Sequence, residues 1–392
     1  MLLGQDRSSR VAVVLQGGGA RGAYQIGVLR AIADIAGSQQ IPFQLVCGVS
    51  VGAITAASVA AAAMDFQKGV RYLETLWRSL TCDDIYDVRG SHMLKTAARW
   101  AGALVFGRVG LNAPASLLDA TPLAQLLGHE FHPRQIDRAL RCSALHALCV
   151  TATSYEEGKA VTFFQGDEGI AEWTRARRYG LRAEITAKHL LASAALPFAF
   201  APTNIAGRFY GDGALRQTAP LSPAIHAGAD RILVISTRDR LLQPPSPNVE
   251  TSLPTIGNLA GHMVDIVFND NLDADLERLC RINEILSLMS WQERQKTSLK
   301  VIDPMILSPS TDLRRIVIRH MHRCPSTLRT LLGRFGFERD EGRMASYLLF
   351  DPRYIGDLIE LGKADAMARA EDIRAFLASD WGDWGRVRLS AK

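Results

Sequence analysis

Two short apolar runs, each closing in glycines that open directly into a helical pattern, constrain this chain more than any other feature. The first is Val11-Ala12-Val13-Val14-Leu15. Gly17-Gly18-Gly19-Ala20-Arg21-Gly22 follow it almost at once, then apolar residues at helical spacing (Ile26, Leu29, Ile32, Ile35) up to Gly37. The second run covers residues 43–47, followed by Gly48-Val49-Ser50-Val51-Gly52 and an alanine-rich helix over 53–64. A five-residue run without a polar face reads as a strand covered on both sides, and a glycine just past the last periodic residue reads as a helix stop. Two such βα units in succession predict an α/β fold: a central, mostly parallel sheet with helices on both faces.

Further strands are predicted at 147–153 and 160–164, joined by the turn Tyr155-Glu156-Glu157-Gly158, and at Arg208-Phe209-Tyr210 and 231–236. A helical pattern at 187–195 is stopped by Pro197. The alternation breaks between 83 and 122, where residues 93–106 form an amphipathic stretch. That stretch suits either a helix packed on the core or a lid beside an apolar substrate. The Pro-rich stretch 243–248 is the best linker. Beyond it the pattern turns mainly helical, with Ile266, Leu272, Leu276, Leu279 and Ile282 at three- and four-residue steps. At 392 residues the chain has room for two domains, assigned here as residues 8–240 and a mainly helical C-terminal extension at 241–392.

Composition excludes several classes. A hydrophobic share of 47% with 22% charged residues rules out a mainly disordered chain. The net charge of +5 is too small to argue for nucleic acid, although eight arginines gather between Arg314 and Arg343 and could meet anionic lipid headgroups or form a solvated face. The six cysteines, at 47, 82, 142, 149, 280 and 324, show no CxxC spacing and are read as free thiols, with no metal site. No apolar run reaches the ~20 residues of a membrane span, and the N-terminal run is too short for a secretory leader. The expected location is the cytoplasm, with any membrane contact peripheral, at the inner face.

The glycine loop satisfies G-x-G-x-x-G, which raises a dinucleotide site as a rival. That reading needs an acidic residue at the end of the second strand to hold the ribose. The strand ends Cys47-Gly48-Val49-Ser50, and Asp34 lies within the preceding helix. The other use of such a loop is electrostatic: amides at a helix N-terminus carry partial positive charge and can hold a phosphate, or the oxyanion of an acyl transfer. Arg21 would add charge there or support the loop. Gly48-Val49-Ser50-Val51-Gly52 is G-x-S-x-G between an apolar strand and a helix, the setting of a nucleophilic serine. A base for Ser50 is less legible. None of His129, His146, His189, His226, His262, His320 or His322 sits in a clear strand-end loop. Asp212, in Gly211-Asp212-Gly213-Ala214 after a strand, is the best-placed carboxylate, and burial would raise its proton affinity.

Taken together, Gly17 to Gly22, Gly48 to Gly52 and Asp212-Gly213-Ala214, in this order, resemble the patatin-like phospholipases. The stretches Leu118-Asp119-Ala120-Thr121-Pro122-Leu123, Ala192-Ser193-Ala194-Ala195-Leu196-Pro197 and Ala219-Pro220-Leu221-Ser222-Pro223-Ala224 agree, so the resemblance covers residues 11–237. It implies a three-layer patatin-like sandwich and an acyl hydrolase acting on lipid esters without cofactor, metal or catalytic histidine. Ser50 would be the nucleophile and Asp212 the base. Gly17, Gly18, Gly19, Ala20, Arg21 and Gly22 would form the oxyanion loop, Gly48 and Gly52 would shape the nucleophile turn, and Asp212, Gly213 and Ala214 would form the third motif. That motif reads Asp-Gly-Ala where many members have Asp-Gly-Gly. The partner implied is a lipid ester. A lipid-binding or scaffold protein with a vestigial site is the alternative from another class, and tight nucleotide binding by the glycine loop is a third.

Overall fold

The computed structural model describes residues 9–87, 116–197, 199–238, 256–334 and 342–378. The amphipathic stretch 93–106 and the linker 243–248 lie outside the described residues.

Ten strands form one mixed sheet in the order β10-β9-β1-β2-β3-β4-β6-β5, with β8 added beside β3 and β7 beside β8. They are β1 (Val11–Leu15), β2 (Leu45–Val49), β3 (Ala147–Ser154), β4 (Lys159–Gly166), β5 (Trp173–Arg175), β6 (Arg178–Arg182), β7 (Thr203–Ile205), β8 (Arg208–Asp212), β9 (Arg231–Ile235) and β10 (Asp303–Leu307). The block β10-β9-β1-β2-β3 is parallel throughout. Antiparallel pairing begins beyond it, where the turn at 155–158 folds β4 back on β3.

Alternation along the buried strands assigns each side chain to one of two cores. Val11, Val13 and Leu15 face the helices α1 (Gly22–Ala36), α2 (Val51–Ala61) and α3 (Phe66–Ser79). Ala12 and Val14 face the opposite side with Leu45, Cys47, Ile232 and Val234. Leu272, Leu276 and Leu279 of a long helix (Ile256–Leu288) cover that second face, which accounts for their three- and four-residue spacing.

The residues read from sequence as an extension enter the same layers. β10 pairs in parallel with β9, Asp303 opposite Arg231 through Leu307 opposite Ile235. The helix Pro352–Met367 lies against α1 so closely that the backbones touch: a Cβ built on Gly27 would stand 2.0 Å from the Ile359 carbonyl oxygen.

One register relation positions the site. β4 occupies one edge of β3 along its whole length. On the other edge β2 pairs with the first part of β3, ending with Val49 opposite Thr151. β8 takes the rest, ending with Asp212 opposite Ala152. The C-terminal ends of β2 and β8 therefore meet head to head on a single edge. Residues 49 and 212, remote in sequence, become neighbours through the pairing alone.

Candidate active site

The sequence predicts a five-residue turn from 48 to 52. The structure reverses the chain at a single residue instead: β2 runs through Val49, α2 begins at Val51, and Ser50 between them takes φ 55° and ψ −133°. Positive φ is costly for a residue with a Cβ, on the order of 1–3 kcal/mol, and persists only where the surroundings impose it. The two flanking glycines impose it here. A Cβ on Gly48 would stand 2.2 Å from the Gly52 carbonyl oxygen, and one on Gly52 would stand 2.2 Å from the Leu15 carbonyl oxygen. Helix and strand approach to a distance only glycine permits, which leaves one residue to make the turn.

The Ser50 hydroxyl donates to Asp212 Oδ2 at 2.6 Å, and both side chains are buried. The other carboxylate oxygen accepts from the Ala214 amide at 2.9 Å. Asp212 is thus the last residue of β8 rather than part of the turn after it, and the ladder to β3 fixes its direction. Complete burial pushes its carboxyl up to about 7, while the hydrogen bonds from Ser50 and Ala214 pull the other way. The Ser50 amide donates to Ser193 Oγ at 2.8 Å, whose hydroxyl donates to the Thr151 carbonyl at 2.6 Å. The Thr153 hydroxyl donates to the Asp212 carbonyl at 2.8 Å.

The glycine loop lies on the neighbouring βα unit. A 3-10 turn, Gly19–Arg21, leads into α1, with the Arg21 amide donating to the Gly18 carbonyl at 3.1 Å. The Gly18 and Gly19 amides consequently sit at the positive end of a helix. Gly19 has φ 53°, and a Cβ there would stand 2.2 Å from the Tyr347 carbonyl oxygen. Arg21 is 5% exposed, and its guanidinium is engaged with Ser346 and Tyr347.

Ser50, Asp212 and Gly19 share the wall of an apolar cavity of about 100 Å³. Leu73 and Trp77 of α3, Leu123 and Leu127 of α4 (Thr121–Glu130), and Leu348 and Phe350 supply much of the lining. A site of this composition can hold a hydrocarbon chain beside a hydroxyl and a carboxyl that share a proton.

A family model described as patatin-like phospholipase matches residues 13–225, more than half of the sequence. The chain belongs to the patatin-like phospholipase family. Membership supports a lipid hydrolase. No curated protein matches the sequence. Among solved structures, VipD from Legionella pneumophila is similar at 13% identity and TM-score 0.35, covering 93% of this chain and 67% of its own. Human GIVD cytosolic phospholipase A2, in complex with methyl gamma-linolenyl fluorophosphonate, is similar at 13% identity and TM-score 0.43. The match covers 94% of this chain and 59% of that one, so this patatin-like chain spans under two thirds of the human protein.

The remaining sequence candidates sort clearly. Asp34 is bound to Arg30 on the exposed side of α1. Among the described residues no histidine lines the cavity, and no group of three or more His, Cys, Asp or Glu could hold a metal ion. No helix of the described residues is long and apolar enough to cross a membrane. His226 stacks on Trp173, with ring centroids 4.9 Å apart. His189 caps its own helix, Nδ1 accepting from the Thr186 amide at 3.1 Å, and burial lowers its pKa to about 4, which keeps it neutral. Replacing His189 with Asn, which can still accept that amide, should leave ester turnover within about tenfold of the parent in a chromogenic ester assay. General-base loss would cost roughly 10²–10⁴-fold.

No local pattern marks a role for Ser193, Thr151, Ser346 or Tyr347. Ser193 lies in one of the supporting stretches, but a serine inside a helical pattern carries no sign of what it bonds. Ser346 and Tyr347 lie far outside every motif.

Proposed function

We propose that the protein is a serine acyl hydrolase of the phospholipase A or lipid esterase type, cleaving acyl esters through Ser50, Asp212 and an acyl-enzyme. The observation that carries this reading is the 2.6 Å hydrogen bond from Ser50 Oγ to Asp212 Oδ2 at the wall of an apolar cavity. In the first half-reaction Ser50 Oγ forms a bond to the ester carbonyl carbon while its proton passes to Asp212. The carbonyl π pair moves onto oxygen, where the amides of Gly18 and Gly19 at the helix end stabilise it. Each such donor is worth roughly 3–4 kcal/mol in other acyl-transfer enzymes. Collapse of the tetrahedral intermediate breaks the bond to the alcohol, which leaves with the proton from Asp212. Water then repeats the sequence on the acyl-serine, releases the fatty acid and restores Ser50.

An aspartate near its ordinary pKa would hold a serine proton poorly. One raised to about 7 can accept the proton transiently at neutral pH and return it. The apolar lining selects for the acyl part of the ester, since each methylene removed from water contributes about 0.8 kcal/mol. A peripheral lipid surface is the corresponding source of substrate.

The reading is tested with a fluorophosphonate probe, which phosphonylates an activated serine. Labelling of the parent and its loss in Ser50→Ala is the outcome expected. A protein that binds lipid vesicles but takes no label would be a scaffold carrying a vestigial site.

A further inference from the structure

We infer that residues 346–350, just ahead of the helix Pro352–Met367, are a working part of the catalytic apparatus: Ser346 and Tyr347 hold the oxyanion loop in place by gripping Arg21. This rests on the function proposed above and concerns the same site.

Glycine-rich loops lose more conformational freedom on ordering than any other sequence. An oxyanion site nevertheless works only when its donors are held within roughly 0.5 Å. Three consecutive glycines therefore need an anchor from outside, and Arg21 supplies one. Its Nε donates to Ser346 Oγ at 2.8 Å, its Nη1 donates to Tyr347 Oη at 3.0 Å, and the guanidinium lies over the Tyr347 ring at 3.9 Å. A buried guanidinium is strongly penalised unless its hydrogen bonds are made, so these contacts confine it to one place. The 3-10 turn closed by the Arg21 amide on the Gly18 carbonyl carries that position back along the loop. The Tyr347 carbonyl packs against the same loop, where a Cβ on Gly19 would stand 2.2 Å from its oxygen.

The gripping segment is itself fixed. Ser346 Oγ donates to the Arg343 carbonyl at 2.5 Å, and the Tyr354 hydroxyl donates to the Ser346 carbonyl at 3.1 Å. The Tyr86 hydroxyl donates to the Leu348 carbonyl at 2.5 Å, and Cys82 Sγ donates to the Phe350 carbonyl at 3.4 Å. Leu348 and Phe350 then face the cavity, with Phe350 beside Trp77 at 6.5 Å between ring centroids. One short segment thereby joins the oxyanion loop to the wall of the acyl cavity. Ser346 and Tyr347 act as positioning residues through Arg21.

The test uses the full chain with Ser346→Ala, which leaves every cavity-lining side chain in place, and the double variant with Tyr347→Phe, which removes one hydroxyl and keeps the ring. Two readouts are taken beside thermal melting. Deuterium uptake over residues 17–22 reports whether the loop is held, independently of turnover. Steady-state kinetics on a chromogenic acyl ester report whether the held loop serves the reaction. The double variant should exchange at least tenfold faster over 17–22 and lose at least tenfold in kcat with KM within twofold, in a protein that still melts cooperatively. Ser346→Ala should shift both readouts in the same direction by less. Unchanged exchange over 17–22 in both variants overturns the inference. Faster exchange in a protein whose parent takes no Ser50-dependent label leaves the grip standing and removes the hydrolase reading instead.

Discussion

Replacing Asp212 with Asn is expected to lower ester turnover by roughly a thousandfold or more, the range for loss of a general base. The substitution preserves shape. The side-chain oxygen facing the Ala214 amide can still accept, while the other terminus presents an N–H to Ser50 Oγ where the aspartate presents a lone pair. Ser50 then has no group to receive its proton, and the barrier rises by about 4 kcal/mol for each thousandfold lost. Ser50→Ala should bring turnover to the same floor by removing the nucleophile, and the two changes combined should cost no more than either alone, because they disable one unit. The measurement is kcat/KM for a lipid ester with each single and the double variant. Full activity in Asp212→Asn would remove Asp212 from the mechanism. A strictly additive double variant would mean that the two side chains act separately.

The second large effect concerns pH, and it has opposite signs for activity and stability. With Asp212 as the proposed base, activity needs its carboxyl ionised, so kcat/KM should rise with pH along a single-proton curve centred near 7. Stability runs the other way. The folded-state pKa of about 7 lies above the ordinary value of 3.8, so between those limits the folded chain binds more protons than the unfolded one. Asp212 therefore costs nothing below about pH 4. It becomes progressively unfavourable as pH rises towards 7, and above that holds a constant penalty of about 4 kcal/mol, from roughly three pKa units at 1.36 kcal/mol each. An amide carries no such penalty. The melting temperature of Asp212→Asn should exceed that of the parent at pH 8, with the gap shrinking as pH falls towards 4. A gap independent of pH would show that the carboxyl is not held near neutrality by burial. The variant predicted to lose turnover is thus predicted to gain stability, as expected where a strained, desolvated group is kept for chemistry.

Several elements are legible in the sequence because they depend on neighbours along it. The alternation of five-residue apolar runs with helices needs only local periodicity, and it located β1, β2, α1 and α2 to within a few residues. Gly48 and Gly52 pointed to a tight strand-to-helix turn, although not to a reversal made by Ser50 alone. That depends on how far α2 sinks towards the Leu15 carbonyl, which is a packing distance. The local pattern does not mark the short strands β5, β6, β7 and β10. Three of them sit at the sheet margin, and β7 and β10 in particular are recognisable mainly through the strands they pair with.

The order of motifs along the chain was enough to establish the kind of fold and the residue types available for chemistry, since both follow from spacing and backbone preference. It could not place Asp212 against Ser50, because that meeting is made by β2 and β8 sharing one edge of β3, a register set by the whole sheet. Nor could it raise the Asp212 pKa, which comes from desolvation by groups scattered through the chain. The joining of Ser346 and Tyr347 to Arg21, across more than three hundred residues, is of the same kind. Contacts at such separation are chosen by how the layers pack, and a linear pattern records only what neighbouring residues can do.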